Sequence, residues 1–263
     1  MNVFLFVLIA LFGVLVGILS GMFGIGGGTM VIPLLNLIFR LPILTSTATS
    51  LFVIAPTSLS GAWRHLRQGT VDVRAAVTIG LSGAVASTFS ASISDRLPDL
   101  LILLAAVSVI LYSASSVMRS AFKSPAAPQK ENNGEKNGTQ KSPLLSRIFL
   151  GLFAGLVAGV VGVGGGFIIV PIGITYFGYS FKKASGTSLL SIALIAIPGI
   201  ITHAILGHIW YLYGIALMVG TIPGANLGAR LITKIPERKA RFAYAGLLIL
   251  SGIMLVVNRV AFG

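Results

Sequence analysis

Residues 21–33 read GMFGIGGGTMVIP, and residues 159–171 read GVVGVGGGFIIVP. The two strings lie 138 residues apart, and the same offset aligns the chain well beyond them. Gly13, Gly17 and Gly21 meet Gly151, Gly155 and Gly159, Gly24 meets Gly162, and the triplet Gly26, Gly27, Gly28 meets Gly164, Gly165, Gly166. Pro33 meets Pro171, and Thr49, Ser50, Leu51 meet Thr187, Ser188, Leu189. Gly61, His65, Gly69 and Pro98 meet Gly199, His203, Gly207 and Pro236. The chain is two copies of one unit. Glycine-broken apolar segments at matching positions of two halves point to a transporter binding site.

Working outward, the chain is 55% hydrophobic with a mean hydropathy of +0.96. Its 10% charged residues compare with about 25% in a soluble domain. Stretches such as 99–118 and 242–258 are long enough to span a bilayer. Strand-like alternation is absent, so helices are expected rather than a barrel. With no cysteine, disulfides, thiol catalysis and cysteine-ligated metals are excluded. The net charge of +13 reads as cytoplasmic marking of a membrane protein, not as nucleic-acid binding. The apolar N-terminus lacks the basic region of a signal peptide, and residues 11–20 repeat as 149–158, so it is kept as part of the mature protein.

Residues 119–147 are rich in Lys, Asn, Gly and Pro and read as a cytoplasmic basic linker. The first transmembrane repeat is then 1–118 and the second 148–263. Each opens with a glycine-broken helix pair, about 4–22 with 28–39 and 148–160 with 166–178. Three fuller spans follow: 43–62, 75–93 and 99–118, and then 185–203, 211–229 and 242–258. Whether the broken pair re-enters or crosses twice, it returns the chain to its starting side. Three further spans make an odd number of crossings, so the two copies take opposite orientations. With the linker in the cytoplasm and both termini outside, all 19 basic residues except Arg40, Arg96 and Arg259 fall on the cytoplasmic side. The expected fold is an all-α polytopic membrane protein of two inverted-topology repeats.

Three adjacent glycines break a helix, at about 1 kcal/mol each relative to alanine, and in lipid the freed amides find no water. The restarting helix presents free N–H groups and the positive end of its dipole, which together form an anion site. The spaced glycines 13, 17, 21 and 151, 155, 159 read instead as small-xxx-small packing ladders. The triplets admit two readings, a ligand-lining break or a structural kink. The candidate substrate-binding residues are Gly26, Gly27, Gly28 and Thr29 with Gly164, Gly165, Gly166 and Phe167. Thr49, Ser50, Thr187 and Ser188 are either further donors to the anion or bonded to their own helix carbonyls. Since Thr29 is matched by Phe167, the site is expected to be asymmetric.

His65 and His203 match near span ends and read as interfacial residues or as a gating or proton-linked pair, while unmatched His208 carries no site role and Asn226, inside a span, suits an interhelical hydrogen bond or a ligand contact equally. The acids Asp72, Asp95, Asp99, Glu131, Glu135 and Glu237 all lie in loops or at span ends. A carboxylate proton relay or cation site is therefore disfavoured. Gly80–Leu81–Ser82–Gly83 spells the GxSG of intramembrane serine proteases, but the second copy has Met218–Val219–Gly220–Thr221 there, so the repeat does not need the serine.

The paired glycine strings, the ATSL and GTSL segments (48–51 and 186–189), the basic linker and the late GANLGARLITKIP stretch (224–236) resemble the sulfite exporter TauE/SafE family. The first copy has ASTFSASISDRLP at 86–98, with serines in place of glycines. The resemblance implies a multi-pass permease of the bacterial plasma (inner) membrane for sulfite, thiosulfate, sulfoacetate or other organosulfonates. The expected function is a secondary transporter or exporter of a small anion, working by alternating access between the repeats. An anion channel or facilitator is the first alternative and the GxSG protease the second. No enzyme activity, cofactor or metal is expected. The partners expected are the small anionic substrate and the lipid bilayer, without nucleic acid, and a homo-oligomer is compatible with the sequence.

Overall fold

The computed structural model describes residues 3–96, 98–123 and 143–262. Those residues form ten α-helices and two short 3-10 turns, with no strand among them. The first half comprises α1 (Val3–Phe23), α2 (Gly28–Phe39), α3 (Ile43–Arg67), α4 (Val73–Ile93) and α5 (Asp99–Lys123). The second comprises α6 (Leu144–Val161), α7 (Gly166–Thr175), α8 (Phe181–Ile205), α9 (Tyr211–Leu231) and α10 (Glu237–Phe262). The all-helical reading holds, and helices α5 and α6 run into the stretch read as linker. The rest of that stretch, 124–142, lies outside the described residues.

Five segments, α1, α4, α6, α8 and α9 with its following turn, are long and apolar enough to cross a membrane. Helix α2 has 12 residues and α7 has 10. At 1.5 Å per residue they reach about 18 and 15 Å, roughly half of the 30 Å hydrocarbon layer. Neither crosses alone. Pro33 and Pro171 sit inside these short helices, past the first turn. The carbonyls of Thr29 and Phe167 thereby lose their usual helical donors.

The glycine ladders pack as expected. Gly13, Gly17 and Gly21 of α1 lie against the backbone of Leu217, Thr221 and Ala225 of α9, and Gly220, Gly224 and Gly228 of α9 answer against Ala10, Val14 and Ile18. In the same register, Gly151, Gly155 and Gly159 of α6 lie against Ile79, Gly83 and Ser87 of α4. The serines of the first copy's closing stretch do not prevent close approach, because the Ser90 hydroxyl reaches the Gly155 carbonyl at 3.4 Å.

These contacts exchange between halves: each contact from a residue to its neighbour reappears with both moved by the repeat offset, in opposite senses. At the centre α3 crosses α8. Gly61 faces Leu189 while Gly199 faces Leu51, so these corresponding helices run antiparallel. Helices α9 and α4 flank the crossing, and α5 packs along α10.

Candidate functional site

Each break begins where a helix ends in a left-handed residue. Gly24 closes α1, its amide bonding the Ser20 carbonyl at 2.8 Å, and Gly162 closes α6 through the Ala158 carbonyl at 2.8 Å. Gly26 and Gly27 then take φ values of 77° and 87°, which only glycine adopts without strain. Gly27 ends the break as the N-cap of α2, with no side chain capping the helix.

The two breaks touch. A Cβ on Gly28 would lie 2.7 Å from the Val163 Cα and 2.8 Å from the Gly162 carbonyl oxygen, and one on Gly166 would lie 2.7 Å from the Ile25 Cα. Ile54 of α3 and Ile192 of α8 lie against both Gly26 and Gly164, which puts the contact at the middle of the central crossing.

Residues 24–29 and 162–167 are all buried. The amides of Ile25 to Thr29, five in succession, find no hydrogen-bond acceptor among the described residues, and neither do those of Val163 to Phe167. Over nine-tenths of buried backbone amides are normally paired. Two facing runs of bare amides, each opening a helix, are therefore the most unusual feature of the interior. Their partial charge is positive, and the described residues bring no carboxylate against them.

The hydroxyls of Thr49, Ser50, Thr187 and Ser188 are buried, with partners in the opposite copy. The Ser50 hydroxyl donates to the Gly162 carbonyl at 3.1 Å, and the Ser188 hydroxyl to the Gly24 carbonyl at 2.7 Å. Thr49 accepts from the Trp210 amide and Thr187 from the Asp72 amide, each at 3.0 Å. The serines secure the ends of the breaks, and the threonines hold the starts of α9 and α4. None of the four uses the helix-internal bond that Ser and Thr commonly make.

Three further buried hydroxyls lie beside the first break. Ser20, Thr29 and Ser58 are at most 1% exposed and lack a partner among the described residues. Thr29 belonged to the predicted set, whereas Ser20 and Ser58 did not. Their signal was a mismatch between copies, since Ala158 and Ala196 replace them.

The histidines lie apart from the breaks, at the far ends of α3 and α8. His65 is fully buried, its Nδ1 2.8 Å from the Thr70 hydroxyl and its Nε2 3.1 Å from the Gly21 carbonyl, to which it donates. His203 packs its Nδ1 3.4 Å from that of His208. His208, given no role in the sequence, takes the place that Thr70 holds in the first copy.

On the His65 side the surface is ionic. The Asp72 carboxylate accepts from the Ala75 amide at 2.9 Å and from the Tyr179 hydroxyl at 2.8 Å, with Arg147 at 4.0 Å. Burial alone would raise the Asp72 pKa, but these two donors and the charges of Arg147 and Lys183 together hold it below the usual carboxylate value. Burial and the Asp72 carboxylate push the Tyr179 hydroxyl upward. On the opposite side the Trp210, Tyr213 and Phe39 rings stack in sequence, 5.0 and 4.7 Å apart.

Ser82 of the GxSG string donates to the Thr78 and Ile79 carbonyls of its own helix at 2.8 and 3.2 Å, and it faces Gly151. It is a packing residue.

The family model described as Sulfite exporter TauE/SafE matches residues 9–255. A Bacillus subtilis protein named probable membrane transporter protein YdhB is 34% identical over 92% of this chain and 99% of its own length. A Methanocaldococcus jannaschii protein named probable membrane transporter protein MJ0441 is 28% identical over 95% of each chain. A Haemophilus influenzae probable membrane transporter protein is 27% identical over 97% of this chain and the whole of its own. No solved structure gives a significant match. With helices long enough to cross a bilayer, a doubled glycine-broken core and a family match over nearly its whole length, the chain belongs to the TauE/SafE sulfite exporter family and is a multi-pass membrane transporter.

Proposed function

We propose that this chain is a secondary transporter of a small anion, a sulfur oxyanion or organosulfonate, held between the two glycine breaks. The observation that carries this reading is the pair of buried, unpaired amide runs meeting at the central crossing. Ten bare donors and two helix N-termini suit a ligand that only accepts hydrogen bonds. The amides of Gly26 to Thr29 and Gly164 to Phe167 hold the anion. Ser50 and Ser188 keep the breaks in shape, while Thr49 and Thr187 anchor the helices beside them.

The two copies sit inverted in the membrane. The antiparallel crossing of α3 and α8 and the exchanged contacts support this, as does the gathering of basic residues on the Asp72 face. Lys182 donates to the Thr233 carbonyl there at 2.9 Å, and Arg241 to the Ser120 carbonyl at 3.3 Å. That face is cytoplasmic, with both termini outside the plasma membrane. Rocking of one copy against the other opens the shared site to each side in turn. An interior-negative potential then favours anion exit, by about 2.3 kcal/mol per charge per 100 mV.

The test is flux of labelled sulfite, thiosulfate and sulfoacetate in proteoliposomes. Saturable flux with counterflow, lost in Gly27→Leu paired with Gly165→Leu, is expected. Flux that neither saturates nor shows counterflow indicates a channel, and flux untouched by the paired substitution overturns the site.

A further inference from the structure

We propose that the two breaks are unequal, and that a single anion takes backbone amides from both but side-chain hydroxyls from the first alone. This rests on the transporter reading above and adds which half of the molecule supplies the hydroxyls.

The buried hydroxyls carry the argument. Many Ser and Thr side chains in these helices bond a carbonyl one turn back, as Thr57, Thr78, Ser82, Thr88, Thr175 and Thr202 do. Ser20, Thr29 and Ser58 do not, although each is closed off from solvent. Their places are specific. The Ser58 Oγ lies 3.3 Å from where a Cβ on Gly26 would stand, and the Ser20 Oγ lies 3.6 Å from where one on Gly27 would stand. Two hydroxyls thus flank one peptide of the first break from α3 and α1, and Thr29 opens the helix that follows. Ser185, also unpaired, lies against Gly24 at the start of the same break.

At the second break the corresponding residues are Ala158, Phe167 and Ala196, all fully buried, and Thr47 stands in place of Ser185 with its hydroxyl on the Val161 carbonyl at 3.5 Å. The amide runs are matched, but the unpaired hydroxyls gather at the first break; on the second side the unpaired Ser87 hydroxyl faces Gly199 of α8 rather than the glycine triplet. A buried hydroxyl without a partner is destabilising, and a packing role needs no hydroxyl. An oxyanion with several acceptor oxygens satisfies all of these groups at once. The second break then closes over the anion with its backbone amides alone.

Titration calorimetry on the purified full chain tests this, with whichever of sulfite, thiosulfate and sulfoacetate most raises its melting temperature. One anion per chain is expected. Ser20→Ala with Ser58→Ala should weaken binding about tenfold or more, the scale of lost hydrogen bonds to a charged group. Ser82→Ala, whose hydroxyl is bonded within its own helix, should leave it unchanged. Unaltered affinity in the Ser20, Ser58 variant, or two anions per chain, overturns the one-sided seat. If Gly27→Leu with Gly165→Leu still abolishes binding in that case, the paired-break site stands without it. If that variant binds as wild type does, both readings fall. Binding of none of the three anions, the hydroxyls being satisfied by water only, likewise overturns both.

Discussion

The Ser188 hydroxyl donates to the Gly24 carbonyl at 2.7 Å, tying the central helix of the second copy to the end of α1 in the first. Its counterpart joins Ser50 to Gly162. Each copy fixes the other's break, so the site is a property of the pair. Ser188→Ala leaves a buried carbonyl without its donor and should destabilise the fold by about 1–3 kcal/mol. Thermal unfolding in detergent should show the loss, while an anion-dependent rise in melting temperature persists.

The interlocked glycines set how close the copies approach. A Cβ on Gly155 would lie 2.6 Å from the Gly83 Cα. Gly155→Val should destabilise by about 1–3 kcal/mol or more, read as a lower melting temperature or loss of a monodisperse peak. Gly246 of α10 has nothing within 4 Å of its would-be Cβ. Gly246→Ala should be neutral or stabilising by up to about 1 kcal/mol, since alanine is the better helix former.

Asp72 predicts an acid limit. Its folded pKa lies below the ordinary value, held there against burial by the Ala75 amide, Tyr179, Arg147 and Lys183. Its contribution is therefore complete above the unfolded value of about 3.9 and is lost as pH falls through the lower folded value. Asp72→Asn should lower the melting temperature near neutrality and flatten its fall on acidification. An unchanged acid profile in that variant would remove Asp72 from the account.

Much of this molecule was legible as repetition. The glycine offset located both breaks, both ladders and the helices between them, because close backbone approach permits so few residue types. The breaks' contact followed from pairing two matched halves. Harder to read were roles that depend on a partner in the other copy. Thr49 and Thr187 looked like ligand donors, yet each accepts from an amide 161 or 115 residues away. Ser20 and Ser58 were hidden for the opposite reason: attention to matching positions passes over the places where the copies differ, and the proposed seat of the anion lies in those differences.

The central claim is that the bare amides of the two breaks hold an anion. Hydrogen–deuterium exchange across residues 24–29 and 162–167, with and without the anion that most stabilises the protein, addresses it directly. The account predicts that exchange slows at both breaks when the anion is added, more at the first, and that a matched sodium or potassium change has no effect. Unchanged exchange in both segments, with protection appearing elsewhere, would contradict it.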